Sequence, residues 1–353
     1  MDEMGFPATN IILAVFLIYT YIKGLGKISF YEFTYICFIV GLVFYQKSIL
    51  PIVLLAPLVA YKNVNRAVIY DFQLILLKTR WIHLALISTV FYSLYYGLRM
   101  TDGRFLHTGV YEVNTSGLAV FLLGLVYLKR NKIIGKFVLL FGCLSFSRNY
   151  YLALIIYFFF NLKWTRKKLQ EWEIDKRVDF KTVTILSVFF LYTMGVLSES
   201  IYEHGGVVYA ESFVERVRNV IDLSNYYRFT TNLYLIRIWR EQPMTLLLGI
   251  STEKFRLYCT KIAMERKQLY ANNNPHNFFF SYTKLFGIAG VMDMLYVSRI
   301  LKKVVDINNF SIFLVICCYT IFLSLGVNGE WLFWTLGVLG LYYGDNSLEY
   351  FWK

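Results

Sequence analysis

Apolar runs recur along the whole chain with only short polar joints between most of them, and this leaves few ways for it to fold. About eleven can be read, near residues 8–22, 30–45, 49–61, 82–97, 114–128, 133–146, 149–162, 183–198, 277–297, 310–325 and 331–344. In lipid such a run must satisfy its own backbone hydrogen bonds, and a helix does so. Several fall short of the ~20 residues that cross a bilayer comfortably, so one of them is a candidate re-entrant segment. The alternating strands of about ten residues that build an outer-membrane barrel are absent. Charged residues make up 17% of the 353, against ~25% in soluble domains. The expectation is an all-α, polytopic integral membrane protein.

Asp2 and Glu3 make the N-terminus acidic and the first apolar run leads into more spans, so no cleavable signal is expected. Cys37, Cys143, Cys317 and Cys318 fall in predicted spans, and Cys259 does not. No Cys-x-x-Cys or Cys/His cluster occurs, which argues against a metal or disulfide framework. The net charge of +13 reads as positive-inside bias and attraction to anionic lipid. It does not read as nucleic-acid binding, because no basic stripe with interleaved aromatics stands outside the membrane.

Lysine and arginine in the joints set the orientation. Lys129, Arg130, Lys132 and Lys136 crowd one joint, Lys163 to Lys181 another, and Arg299, Lys302 and Lys303 a third. All three fall on one side if the spans alternate, and that side is the cytoplasm. The chain then divides into spans 1–8 (residues 1–198), one large external loop (199–276) and spans 9–11 (277–353), expected to work as a single unit. The loop has the composition of folded structure. In "RFTTNLYLIRIWREQP", Leu233, Ile236 and Trp239 lie near one helical face, Pro243 stops the helix, and Gly249 follows in a turn. A structured loop of this length is usually functional. No internal repeat supports an inverted-repeat transporter.

With sidedness fixed, Arg99, Arg104, Arg148 and Arg228 stand on the outer side, against the bias. Arg148 in "SFSRNYY" joins two apolar runs with almost no loop, where a cation is costly unless paired or hydrated. Snorkelling to the headgroups is one reading; an anion site is the other, since the guanidinium fork matches phosphate. Asn114 opens the fifth run and suits a helix cap, a role compatible with substrate binding. His276 lies between Pro275 and Asn277 at the mouth of the ninth run, and Asn277 can cap the helix that follows. An interfacial histidine with a satisfied ring is the plain reading. A neutral imidazole at a helix N-terminus, able to accept a proton beside arginines, is the functional one.

These segments resemble the O-antigen ligase and Wzy-type polysaccharide polymerase superfamily. "PHNFFFSYTKLFGIAG" is similar to its His-Asn signature, with Phe280 four residues after His276 and then Gly287-x-x-Gly290. "SFSRNYYLAL" is similar to the Ser-Arg segment that opens a span, giving Ser147 and Arg148. "RFTTNLYLIRIWREQPMTLLLG" resembles the external-loop segment, giving Arg228, Pro243 and Gly249, and "EVNTSGLAV" the Asn entry at Asn114. The resemblance covers roughly residues 100–295. It departs at Leu285, where the family often has an acidic residue, and in a longer Pro-to-Gly spacing.

The resemblance implies a GT-C-type membrane glycosyltransferase that needs no metal and no cofactor. It would act at the outer face of the bacterial cytoplasmic membrane on glycans linked to undecaprenyl diphosphate, inverting the anomeric centre. Arg148 and Arg228 would hold the diphosphate, with Asn114 and Asn277 on the substrate. His276 would be the catalytic base or would orient the acceptor. Partners would be lipid-linked donor and acceptor, membrane lipid and a possible chain-length regulator. Polymerisation of repeat units into O-antigen, capsule or exopolysaccharide is the favoured activity, the chain being short for the family. The alternatives are an O-antigen ligase acting on lipid A core and a lipid-linked oligosaccharide flippase, although a flippase would place more charge inside its spans.

Overall fold

A computed structural model describes residues 28–48, 50–63, 76–78, 80, 83–84, 87–88, 91, 95, 113–145, 147–206, 223–265, 275, 277–322 and 330–344. Among these every regular element is helical. Helix α1 is Phe30–Gln46, and a 3-10 turn at Leu50–Leu54 leads into α2, Leu55–Asn63. Then come α3 (Val113–Arg130), α4 (Lys132–Phe141), a 3-10 turn (Gly142–Ser145), α5 (Arg148–Asn161), α6 (Lys163–Glu171) and α7 (Ile174–Arg177). Helices α8 (Phe180–Glu203), α9 (Leu223–Glu241), α10 (Met244–Leu248) and α11 (Thr252–Glu265) follow. The last are α12 (Phe278–Phe286), α13 (Ile288–Val304), α14 (Phe310–Phe322) and α15 (Glu330–Leu341).

The runs at 30–45, 114–128, 149–162 and 183–198 each form one helix with ends close to those expected. The run at 49–61 begins as a 3-10 turn, and that at 133–146 ends as one. The run at 277–297 is broken at Gly287 into α12 and α13. The run at 8–22, and most of 82–97, lie outside the described residues. Helix α8 is long and apolar enough to cross a membrane, with 24 residues and a mean hydropathy of 1.7 in its most apolar window. At ~1.5 Å per residue it matches the ~30 Å hydrocarbon core. Ile185, Leu186 and Phe189 on it are exposed, Phe189 by 71%. The helices Phe30–Gln46, Leu50–Lys62 and Phe310–Ile321 are apolar but shorter.

The described chain forms two compact units by packing. The first takes residues 1–63, 180–300 and 320–330, and the second 64–179, 301–319 and 331–353. In the first, Leu191, Phe229, Leu235, Ile238, Ile250, Phe255, Cys259, Ile262 and Phe280 form one core from α8, α9, α11 and α12. A second core surrounds Tyr35 of α1 and draws in Leu54, Leu58, Phe286, Ala289 and Tyr296. Helix α1 is started by a reciprocal capping box between Ser29 and Glu32. Glu32 also pairs with Lys62 of α2 at 2.7 Å, with both side chains mostly buried.

In the second unit α3 and α4 form a hairpin closed by small residues. A Cβ on Gly135 would lie 2.4 Å from the backbone nitrogen of Leu128, and one on Gly124 would enter the Leu139 side chain. At Gly135 the two helix backbones approach directly. Asn131 caps α4, its Oδ1 accepting from the Ile133 and Ile134 N–H groups. Tyr150 of α5 is buried and donates to the Leu139 carbonyl at 2.6 Å. Asn161, at the other end of α5, donates to the Ser311 hydroxyl at 2.8 Å.

The turn before α14 is held by side chains rather than by apolar packing. Asp306 accepts from the backbone N–H groups of Asn308, Asn309 and Gly344 at 2.9–3.1 Å. Asn309 is fully buried and donates to the carbonyls of Val304 and Leu339. Replacing Asp306 with Ala leaves three backbone donors without their acceptor, at ~1–3 kcal/mol for each one that water does not reach. The expected outcome is a lower midpoint of thermal unfolding in detergent for Asp306→Ala. An unchanged midpoint would show that the turn stands without it.

Candidate functional site

The segment "RFTTNLYLIRIWREQP" is helical as expected, with α9 ending at Glu241 two residues before Pro243. The buried side of α9 differs from the expected stripe. Leu235 and Ile238 are fully buried, while Ile236 and Trp239 are only partly so. Thr230, Thr231 and Asn232 are buried too. Their side chains donate to carbonyls one turn back, at Tyr226, Tyr227 and Arg228. A helix held on several sides by α8, α11 and α12 loses the one-sided pattern that a surface helix shows. Arg237 and Arg240 are exposed, and Arg228 is half-buried.

The glycines of the motif segments have a specific reason to be glycines. Gly249 has φ 79° and Gly287 has φ 58°, both in the region that disfavours a side chain. A Cβ on Gly249 would lie 2.3 Å from the carbonyl oxygen of Leu285, and one on Gly287 would lie 2.2 Å from that of Leu247. The turn after α10 and the break between α12 and α13 therefore meet backbone to backbone. The Ile250 N–H donates to the Lys284 carbonyl at 2.6 Å across the junction. Gly290 completes it, because a Cβ there would lie 2.6 Å from the Tyr282 carbonyl oxygen. Phe280 is fully buried, and its ring stacks against Trp239 of α9 at 6.0 Å.

Asn277 caps α12 as expected. Its Oδ1 accepts from the Phe280 N–H at 3.2 Å, and its Nδ2 donates to the Ile321 carbonyl at 3.0 Å. Ser281 donates to the Pro275 carbonyl at 2.7 Å. His276 lies outside the described residues, as do Arg99 and Arg104. Arg228 stands on α9 next to Tyr226 and Tyr227, and Tyr226 is stacked on Tyr202 of α8 at 4.7 Å.

Arg148 and Asn114 belong to the second unit, whereas Arg228 and Asn277 belong to the first. Arg148 is the first residue of α5, half-buried, following the buried Ser147 at the N-cap. A helix N-terminus carries a partial positive charge, so a guanidinium there adds to a field that favours an anion. Asn114 lies in the first described turn of α3, and its side chain is outside the description.

Two residues that hold the site segments were not singled out in the sequence. Gln46, at the end of α1, donates through Nε2 to the Leu248 carbonyl at 3.0 Å and the Leu285 carbonyl at 2.7 Å. It thereby ties α1 to both sides of the glycine junction, and nothing in "VFYQKS" signals this. Lys284 is 2% exposed, with its ammonium 5.3 Å from the centre of the Phe255 ring. A lysine within a predicted span was the available signal.

Glu241 ties α9 to α11. It accepts from Tyr258 at 2.6 Å and pairs with Arg237 at 2.9 Å. The Tyr258 hydrogen bond and the Arg237 guanidinium hold its carboxyl below the usual range. Burial pushes the Cys259 thiol up to about 12, so it stays a thiol.

No family model, curated protein or solved structure matches this chain.

Two outcomes are expected. Gly287→Ala and Gly249→Ala each force a side chain into a backbone carbonyl at positive φ, costing ~3 kcal/mol or more. They should sharply lower the yield of folded, monodisperse protein. Gly41→Ala, in α1 with open space around it, should be neutral or stabilising by up to ~1 kcal/mol. Equal yields for all three would remove the junction's structural role. Because the Glu241 carboxyl is depressed in the folded chain, its contribution is present above the usual glutamate range. It is lost as pH falls through its own lower value. Hydrogen exchange of α11 should therefore quicken only in acid below that range, and Glu241→Gln should shift that onset.

Proposed function

We propose that this chain is a multi-pass glycosyltransferase of the bacterial cytoplasmic membrane, acting at the outer face. It joins repeat units carried on undecaprenyl diphosphate into a surface polysaccharide. The observation that carries the proposal is the docking of "QPMTLLLG" against "LFGIAG" through Gly249, Gly287 and Gly290. Two segments that resemble separate motifs of one enzyme family are here a single packed junction. The resemblance makes the histidine that precedes Asn277 the catalytic candidate.

The chemistry asked of the residues is modest. The lipid diphosphate is already a good leaving group, so binding its charge and aligning the acceptor account for most of the work. Arg148 and Arg228 carry charge that bidentate phosphate contacts require. Arg148 at the N-terminus of α5 and Arg228 among tyrosines support that role. His276 takes the proton of the acceptor hydroxyl as it attacks the anomeric carbon, and Asn277 holds the turn in place. The exposed apolar side chains on α1, α5 and α8 support the multi-pass reading.

The test uses the glycan. In a strain lacking the gene, His276→Ala, Arg148→Ala and Arg228→Ala are expressed to equal membrane levels and the surface glycan is run on a gel. The wild-type chain should restore a ladder. His276→Ala should give a single repeat unit, a loss of at least ~100-fold in longer chains. Full-length chains left on undecaprenyl diphosphate would make the chain a ligase. A normal ladder in all three variants would end the catalytic assignment.

A further inference from the structure

Helix α6 is basic, and one exposed tryptophan stands on it and a second at its C-cap. Trp164, Lys168 and Trp172 are spaced four apart and so share one side, with Lys167 beside them. Trp164 is 68% exposed and Trp172 57%. Thr165 and Leu169, also four apart, are buried and seat the helix on its own unit. The tryptophans are therefore not the packing face.

The charges point the same way. Residues 163–177 hold Lys163, Arg166, Lys167, Lys168, Lys176 and Arg177 against Glu171, Glu173 and Asp175. Glu173 is taken by Lys176 at 2.7 Å. Lys163, Lys167 and Lys168 make no ion pair among the described residues.

Position along the chain then selects the partner. Helix α5 exposes Ile155, Phe158 and Phe159, the surface expected against lipid tails. Leu162, exposed and in an extended conformation, breaks the helix, and α6 starts at once with lysine and tryptophan. Exposed apolar side chains at Phe158 and Phe159 give way to a mixed run of lysine and tryptophan that begins at Lys163 and Trp164. Tryptophan mixed with lysine directly beside an apolar surface is the composition met where a chain passes from hydrocarbon to charged headgroups. An acidic protein partner would match the lysines but not the tail-facing surface running directly into them.

We infer that α6 lies on the membrane surface and binds anionic phospholipid headgroups through Lys163, Lys167 and Lys168, with Trp164 and Trp172 set in the interface. This rests on the membrane reading of the chain, not on glycosyl transfer.

The full chain is purified and placed in nanodiscs of equal phosphatidylglycerol and phosphatidylcholine, and retained lipid is counted by native mass spectrometry. Wild type should retain phosphatidylglycerol in preference. The triple variant Lys163→Gln, Lys167→Gln, Lys168→Gln should lose that preference by roughly fivefold per lysine removed. Lipids brominated along the chain should quench wild-type fluorescence more than that of Trp164→Phe, Trp172→Phe, a readout that does not need the lysine variant to fold. Equal lipid retention by wild type and variant, or equal quenching, overturns the inference while leaving an integral membrane protein. Release of the wild-type chain from membranes by alkaline carbonate overturns the membrane reading itself, and this inference with it.

Discussion

The first unit depends on one contact in which there is no room for a side chain. Gly249 and Gly287 bring two stretches of backbone within reach of each other's carbonyls. A carbonyl that deep needs a donor, and the donors come from the same place. Ile250 supplies one to Lys284, and the Gln46 amide supplies two more, to Leu248 and Leu285. Removing the glycines would therefore not merely strain two residues. It would separate α10 from α12 and strip the anchor from the end of α1.

That junction accounts for the broken span. An uninterrupted apolar helix from 277 to 297 would carry Gly287 and Gly290 as ordinary helix positions, at a cost in propensity. Instead the break at Gly287 turns the chain, and Gly290 lets the start of α13 pass close over Tyr282. Irregular backbone needs partners for its polar groups. Here the Ile250 N–H and the Gln46 amide supply them. The short α12 then holds Asn277 at one end and the junction at the other, only nine helical residues apart.

How far this could be read from the sequence differs residue by residue. Apolar periods located the helices, since length and composition dominate that signal, and Pro243 marked the end of α9. Asn277 as a cap was legible, because the residue type and the following apolar run suffice. The buried face of α9 was not. Its Thr230, Thr231 and Asn232 return their hydrogen bonds to the helix's own carbonyls, so polar residues sit in a core without breaking it. Gln46 was not legible either, because its partners are backbone groups some two hundred residues away and carbonyls leave no trace in a sequence. The glycine spacing was visible only as a resemblance, and geometry gives the reason for it.

The resemblance and the packing bear on different parts of the functional reading. The motif glycines and Phe280 are fixed by packing, and it is their joining of two resembling segments in one junction that supports the proposed reading. Arg148 and Arg228 are half-buried cations on two different units. Arg148 gains nothing from a helix N-terminus, whose field opposes a cation there. Arg228 sits among buried tyrosines, where leucine would pack at lower desolvation cost. Residues placed against their local energetics are more often kept for a ligand than for the fold. In the proposed reading Arg148 and Arg228 are each candidates for binding an anion, and His276 is the candidate for the proton transfer.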